Sequence, residues 1–142
     1  MLKKNDTFPI FRLIPVMFLS LLLIITGCSH KDAPEKTDSL DFTVVAGTDI
    51  PGDLKELIQT RQEEPFELTY TDNSYLYIVK GYGKQDGGGY NIVVNNFYQS
   101  EDCLVFDAEL FGPKAGEEVS GKPSCPYIVI KTEYREDPVI FP

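Results

Sequence analysis

The hydrophobic positions divide the chain into three segments. Residues 13–25 are apolar with two exceptions and carry no formal charge, whereas residues 29–40 are polar and show no apolar periodicity. From residue 41 onward, short apolar runs alternate with turn-forming residues. This pattern predicts a leader over residues 1–27, a flexible tether over 28–40 and one domain over 41–142, which is long enough for a single core.

The first part of the domain predicts one strand and one helix. Asp41–Ala46 is a short run with β-branched residues that ends at a glycine, as is typical of a strand. After Pro51 the period changes, because Leu54, Leu57 and Ile58 are spaced i, i+3 and i+4. We expect these three side chains to share the buried face of a helix of about three turns.

The rest of the domain predicts strands and turns. In most of the strands apolar and polar residues alternate with a period of two. Residues 75–79 are instead apolar on both faces, which predicts a central strand after a turn at Asp72-Asn73. At Asn95–Asn96 a shift of one position predicts a β-bulge. Residues 112–124 are rich in Gly, Pro and charge and predict an exposed loop. The fold class is therefore α+β and mostly β: a twisted antiparallel sheet, open or curled toward a barrel, with one N-terminal helix. The predicted strands after the helix are 66–71, 75–79, 90–98, 104–110 and 127–132, with 139–141 at an edge.

The leader has the features of an export signal. Its apolar stretch follows three basic residues and is shorter than the roughly 20 residues that span a membrane. The tetrapeptide Ile25-Thr26-Gly27-Cys28 resembles the bacterial lipobox, which predicts cleavage between Gly27 and Cys28 and a diacylglyceryl group on the Cys28 thiol. The alternative is an ordinary signal peptide that happens to precede a cysteine. We expect a protein of the cell envelope, anchored by lipid outside the cytoplasm.

The net charge and the types of residue present exclude several classes of function. The leader carries three basic residues and one acidic residue, so the chain without it has a formal charge of −11 rather than −9. Binding to nucleic acid is not expected, because the basic residues are scattered. The sole histidine, His30, lies in the tether, which excludes a Ser-His-Asp or Cys-His catalyst inside the domain. We predict no catalytic residue, no metal site and no cofactor, and no enzyme activity.

The glycine run, the two cysteines of the domain and the strand tyrosines each have a structural and a functional interpretation. The run Gly87–Gly89 lacks the Lys-Ser or Lys-Thr of a phosphate loop and precedes a strand, so a structural bend is favoured. Cys103 and Cys125 must be considered for a disulfide in an exported protein. If the strands that they begin form a hairpin, they lie roughly 25 Å apart, too far for a bond. Strand tyrosines could pack across the sheet or form a binding face; these are Tyr75, Tyr77, Tyr90, Tyr98 and Tyr127.

The motif Gly88-Gly89-Tyr90-x-Ile92, followed by a later Pro126-Tyr127 that opens the last long strand, resembles the C-terminal domain of PrcB-type protease-complex subunits. The resemblance extends over residues 42–131. It implies an exported, often lipid-anchored accessory protein that associates with an extracellular protease and supports its assembly or stability. It also makes Gly88, Gly89, Tyr90, Pro126 and Tyr127 candidates for interaction.

Three functional hypotheses remain at this point. The first is an accessory lipoprotein that binds another exported protein through a sheet edge or through the loops at Gly88 and at residues 112–124, and the resemblance implies that this partner is a protease. The alternative is a tyrosine-lined surface that binds peptide or cell-wall glycan. A hydrolase that uses carboxylates alone is the least favoured, because no paired acidic residues fall on neighbouring strand interiors.

Overall fold

The computed structural model describes residues 34–142, and the predicted leader, its cleavage site at Gly27 and the lipid-bearing Cys28 lie outside the described residues. Within this range, no helix is both long and apolar enough to cross a membrane. Two four-stranded sheets and one α-helix make up the domain. The elements are β1 (Asp38–Ser39), β2 (Thr43–Val44), a 3₁₀ turn (Gly47–Asp49), α1 (Gly52–Arg61), β3 (Pro65–Asp72), β4 (Tyr75–Tyr82), β5 (Asn91–Gln99), β6 (Leu104–Phe111), β7 (Tyr127–Glu133) and β8 (Val139–Ile140).

The first sheet, called sheet I here, has the strand order β2-β7-β4-β3 and is antiparallel throughout. Its strand β4 was predicted to be central because it is apolar on both faces, and it does lie between β7 and β3. A tight turn at Asn73, whose φ of 43° is left-handed, joins β3 to β4 in a regular hairpin. Asparagine tolerates that conformation better than most residues, which explains the predicted turn at this position.

The second sheet, sheet II, has the order β1-β5-β6-β8. Strands β5 and β6 form a hairpin whose register shifts between Val94 and Asn96, so the predicted β-bulge is confirmed. The bulge lets Ile92 and Val94 before it and Phe97 after it all face the core. Strand β8 pairs with β6 in parallel at the sheet edge, whereas the other pairings of the two sheets are antiparallel.

The main hydrophobic core lies between the two sheets. Alternate residues of β4 and β7 in sheet I meet alternate residues of β5 and β6 in sheet II, as a period of two requires. Phe106 is fully buried at the centre, with its ring edge-on to Phe97 and Phe141. The buried members are Leu76, Ile78, Phe97, Leu104, Phe106, Ala108, Ile128 and Ile130.

Helix α1 covers the opposite face of sheet I. Leu54 and Ile58 are fully buried against Tyr77, Val79 and Val129. Leu57, which the spacing placed on the same face, is 42% exposed, so that part of the prediction is wrong. The contact between the helix and the sheet is narrower than the i, i+3, i+4 spacing predicts. Only the i and i+4 residues, Leu54 and Ile58, reach the core.

The polar segment before the domain lies along sheet II in its described part. Thr37 donates a backbone hydrogen bond to Gln99, and the Tyr98 hydroxyl donates to the carbonyl of Pro34. Residues 38 and 39 thereby form β1 beside β5. The polar composition of this segment predicted a solvated tether; backbone pairing does not depend on apolar side chains, and the composition therefore did not reveal it.

The fold class is confirmed in its main features: the structure is mostly β with one α-helix, and the sheets are largely antiparallel. The described strands form two sheets that pack face to face, and neither closes into a barrel. The first strand is shorter than predicted, with only Thr43–Val44 of residues 41–46 in strand conformation.

Candidate functional site

The two motif segments singled out by the sequence meet at one end of the domain. Gly88–Tyr90 lies between the end of β4 and the start of β5, and Pro126–Tyr127 lies at the start of β7. Backbone hydrogen bonds join Gln85 and Ser124 in both directions, at 2.8 and 3.1 Å. The glycine-rich segment 83–90 and the long loop 112–126 therefore form one unit, called here the two-loop end.

The glycines permit this close approach of the two loops. The Gly88 N–H donates to the Ser120 carbonyl at 2.8 Å. Gly89 has a φ of +81°, and a Cβ at this position would overlap Val119 and approach Pro113 within 3.2 Å. Glycine is required here both by its left-handed backbone and by the packing. The structural bend predicted for this run is what the structure shows.

Pro126 and Tyr127 connect the long loop to sheet I. The Pro126 carbonyl accepts a hydrogen bond of 3.0 Å from the Tyr82 N–H, and Tyr127 pairs with Gly81 in the sheet. The Tyr127 side chain is exposed, while Tyr90 is half-buried beside Gly112. Of the five motif residues, Tyr127 presents the largest exposed side chain, and the others mainly hold the loops in place.

Tyr82 is a residue of this end that the sequence did not single out. Its hydroxyl donates a 2.6 Å hydrogen bond to the Ala108 carbonyl on β6, so it joins sheet I to sheet II. Burial raises the pKa of the Tyr82 phenol, and the negative charges of Asp107, Glu109 and Glu67 raise it further. No local signal in the sequence marks this residue, because its partner lies 26 residues away.

Residues 76–133 match the family model described as PrcB C-terminal. This span is similar to PrcB C-terminal domains. It begins in β4, ends with β7, and includes both segments of the two-loop end, so the resemblance of the glycine motif is confirmed. A search of curated proteins and a search of solved structures each found no match.

The described domain also contains elements outside the matched span. Helix α1 and strand β3 cover and extend sheet I, while β1 and β8 flank sheet II. Strand β3 is the outer strand of sheet I and pairs with β4 over all eight of its residues without a bulge. It is the longest outer strand in the described residues, because β1, β2 and β8 have two residues each.

The predicted strand tyrosines do not form a common face in this domain. Tyr77 is buried beneath α1, whereas Tyr98 is buried in sheet II with Cys103 and Val105. Tyr75 is exposed and borders a shallow groove of about 570 Å³ at the edge formed by β2, β4 and β7. The Lys131 ammonium lies 3.7 Å from the centre of the Tyr75 ring, so this ring face is already covered by a cation.

The cysteines and acidic residues also have defined positions. Cys103 is buried and Cys125 is half-buried, and both are free thiols. The hairpin assumed between their strands is wrong, because β6 and β7 lie in different sheets. In residues 34–142, no three His, Cys, Asp or Glu side chains lie close enough to share a metal ion.

Proposed function

We propose that this chain is a lipid-anchored accessory protein of the cell envelope that binds another exported protein and assists or stabilises an extracytoplasmic protease. The observation that carries the proposal is the PrcB C-terminal match over residues 76–133, because that family description points to a protease-complex subunit. The lipobox at residues 25–28 supports attachment to the membrane outside the cytoplasm. No catalytic role is proposed for this chain.

The shape of the domain is consistent with a binding role. The described surface offers a long unpaired strand edge at β3 and a two-loop end built by residues 83–90 and 112–126. A partner can bind to either feature without any catalytic group, because strand addition and loop contacts depend on main-chain hydrogen bonds and complementary shape. With a formal charge of −11 after loss of the leader, the domain would favour partners with basic surfaces.

Anchoring is tested by replacing the acylated residue. Cys28→Ser should abolish labelling by a fatty-acid analogue and should release the protein from the membrane fraction or leave it uncleaved. Cys125→Ser is the matched control, because it removes a half-buried thiol elsewhere and should leave labelling unchanged. Acyl labelling that persists in the Cys28→Ser protein would contradict the anchor.

The accessory role is tested by the fate of secreted proteases. Cells that lack this chain should show a lower amount or a shorter half-life of at least one extracytoplasmic protease, measured by quantitative proteomics of the envelope. Restoring the wild-type chain should reverse the loss. An unchanged set of envelope proteases would defeat the assisting role.

A further inference from the structure

The outer edge of β3 leaves backbone groups without partners. Its inner edge pairs with β4 from Pro65 opposite Tyr82 to Asp72 opposite Tyr75, and no described backbone group hydrogen-bonds to its outer edge. In an antiparallel pair, every second residue directs its N–H and C=O away from the neighbour. The outer edge of β3 is therefore a regular row of donors and acceptors.

Other long edges in the described residues are occupied at some point. The outer edge of β6 pairs with β8 at Leu104 and Val105, and its Ala108 carbonyl accepts the Tyr82 hydroxyl. The outer edge of β7 pairs with β2, and the Val129 carbonyl accepts the Val45 N–H. Proteins usually protect an exposed edge with a bulge, a lysine or a short strand, and the body of β3 after Pro65 shows none of these.

The side chains of β3 define what could lie beside it. Phe66, Leu68 and Tyr70 point toward the layer of α1, and each is only half-buried, whereas the residues between them are exposed on the other face. An added strand would extend the apolar layer with every second side chain. The residues between would stand near Glu67, Thr69 and Thr71.

Carboxylates surround this edge. Glu64 immediately precedes β3 and Asp72 ends it, while desolvation raises the pKa of the Tyr70 phenol and the charges of Asp53 and Asp72 raise it further. Lys80 pairs with Glu67 at 3.9 Å, but no described salt bridge involves Glu64, Asp72 or Asp53. A strand laid along this edge meets uncompensated negative charge at both ends.

We propose that the free edge of β3 binds an extended segment of a partner protein as an added strand, and that this segment alternates apolar residues with Lys or Arg. This inference rests on the proposed function and specifies the chemistry of the partner. The apolar side chains would lie beside Phe66, Leu68 and Tyr70, and the basic ones on the other face, where the charges of Glu64 and Asp72 at the two ends of the strand act over roughly 8–10 Å. A second copy of this chain is disfavoured, because β3 paired with itself would bring like charges together.

The test uses the full chain, purified from membranes in mild detergent, and a synthetic peptide of alternating valine and lysine. Amide hydrogen exchange is measured residue by residue. Outward-facing amides of residues 66–72 should exchange about ten-fold more slowly at a peptide concentration ten times its Kd. A peptide in which every second amide is N-methylated keeps the same side chains but loses backbone hydrogen-bond donors. It should not slow the exchange of these amides. Equal protection by the methylated peptide would overturn strand addition.

Charge variants separate this edge from the rest of the acidic surface. The double variant Glu64→Lys/Asp72→Asn should weaken peptide binding about ten-fold at low salt, because each exposed charge contributes little to the binding free energy and the contributions add. Glu101→Lys with Asp102→Asn makes the same change in charge at the exposed β5–β6 turn and should have no effect. Equal weakening by both pairs, or equal binding of a valine–glutamate peptide, would overturn the proposal.

Three outcomes separate this inference from the function on which it rests. If crosslinked cells yield an exported partner but the valine–lysine peptide leaves residues 66–72 unprotected, the edge assignment fails and the accessory function stands. If residues 66–72 are already protected and the protein sediments as a dimer, a second copy occupies the edge and the proposal is wrong. Absence of any exported partner defeats the function itself.

Discussion

The hydroxyl of Tyr82 donates a 2.6 Å hydrogen bond to the carbonyl of Ala108, and this bond joins the two sheets at the end of β4. Removal of the hydroxyl in Tyr82→Phe leaves the carbonyl partly buried without that donor. We expect a loss of about 1 kcal/mol in the free energy of unfolding, measured by chemical denaturation. Tyr134→Phe, at an exposed tyrosine, is the control and should be neutral. Equal stability of Tyr82→Phe and wild type would contradict this role.

The same residue predicts a dependence of stability on alkaline pH. The pKa of Tyr82 is raised by burial above its ordinary value of about 10, so the folded protein holds the phenolic proton more tightly than the unfolded chain. The contribution to stability is complete below about pH 10 and is lost as the pH rises through the folded pKa.

Denaturation at about pH 8 and about pH 10.5 measures this effect, and the decrease should be smaller in Tyr82→Phe than in wild type. Part of the decrease should persist in the variant, because the pKa of Tyr70 is also raised by desolvation and by the charges of Asp53 and Asp72. Identical decreases in the two proteins would contradict the assignment to Tyr82.

Gly89 should be the least replaceable glycine of the two-loop end. Gly89→Ala introduces a Cβ that overlaps Val119 at a left-handed φ, so we expect a loss of about 1–3 kcal/mol in stability. Gly121→Ala provides a matched control in the same loop unit, because its added Cβ meets nothing within 4 Å. The prediction fails if thermal denaturation finds the two variants equally stable.

Helix α1 provides a test within one element. Leu54→Ala should cost about 2–5 kcal/mol, because its side chain is fully buried beneath sheet I. Leu57→Ala makes the same chemical change at an exposed position and should stay within about 0.5 kcal/mol of wild type. A large loss from Leu57→Ala would show that its side chain is covered in solution.

Local periodicity predicted the elements well, because each strand is read from its own residues. The alternation in β3 and the register change at Asn95–Asn96 both appear in the structure, whereas β6 is buried on both faces at Leu104, Val105 and Phe106. The pairing of strands was harder, because it depends on contacts between distant residues. For the cysteines, proximity in sequence suggested a β6–β7 hairpin, whereas β7 pairs with β4 and β2.

The candidate site was only partly predictable for the same reason. The glycine motif and Pro126-Tyr127 were found from the sequence, and the structure brings their segments together at one end. Tyr82 acts through a contact across 26 residues that no local pattern encodes. The free edge of β3 could not be recognised either, since only the strand order shows that nothing described pairs with its outer side.

The proposed function requires that this domain binds an exported protease. The most direct measurement is crosslinking of intact cells that produce the tagged wild-type chain, followed by capture and mass spectrometry, with Glu64→Lys/Asp72→Asn as the comparison. We expect recovery of an extracytoplasmic protease with the wild-type chain and less of it with the variant. Recovery of abundant envelope proteins alone, with no protease enriched, would contradict it.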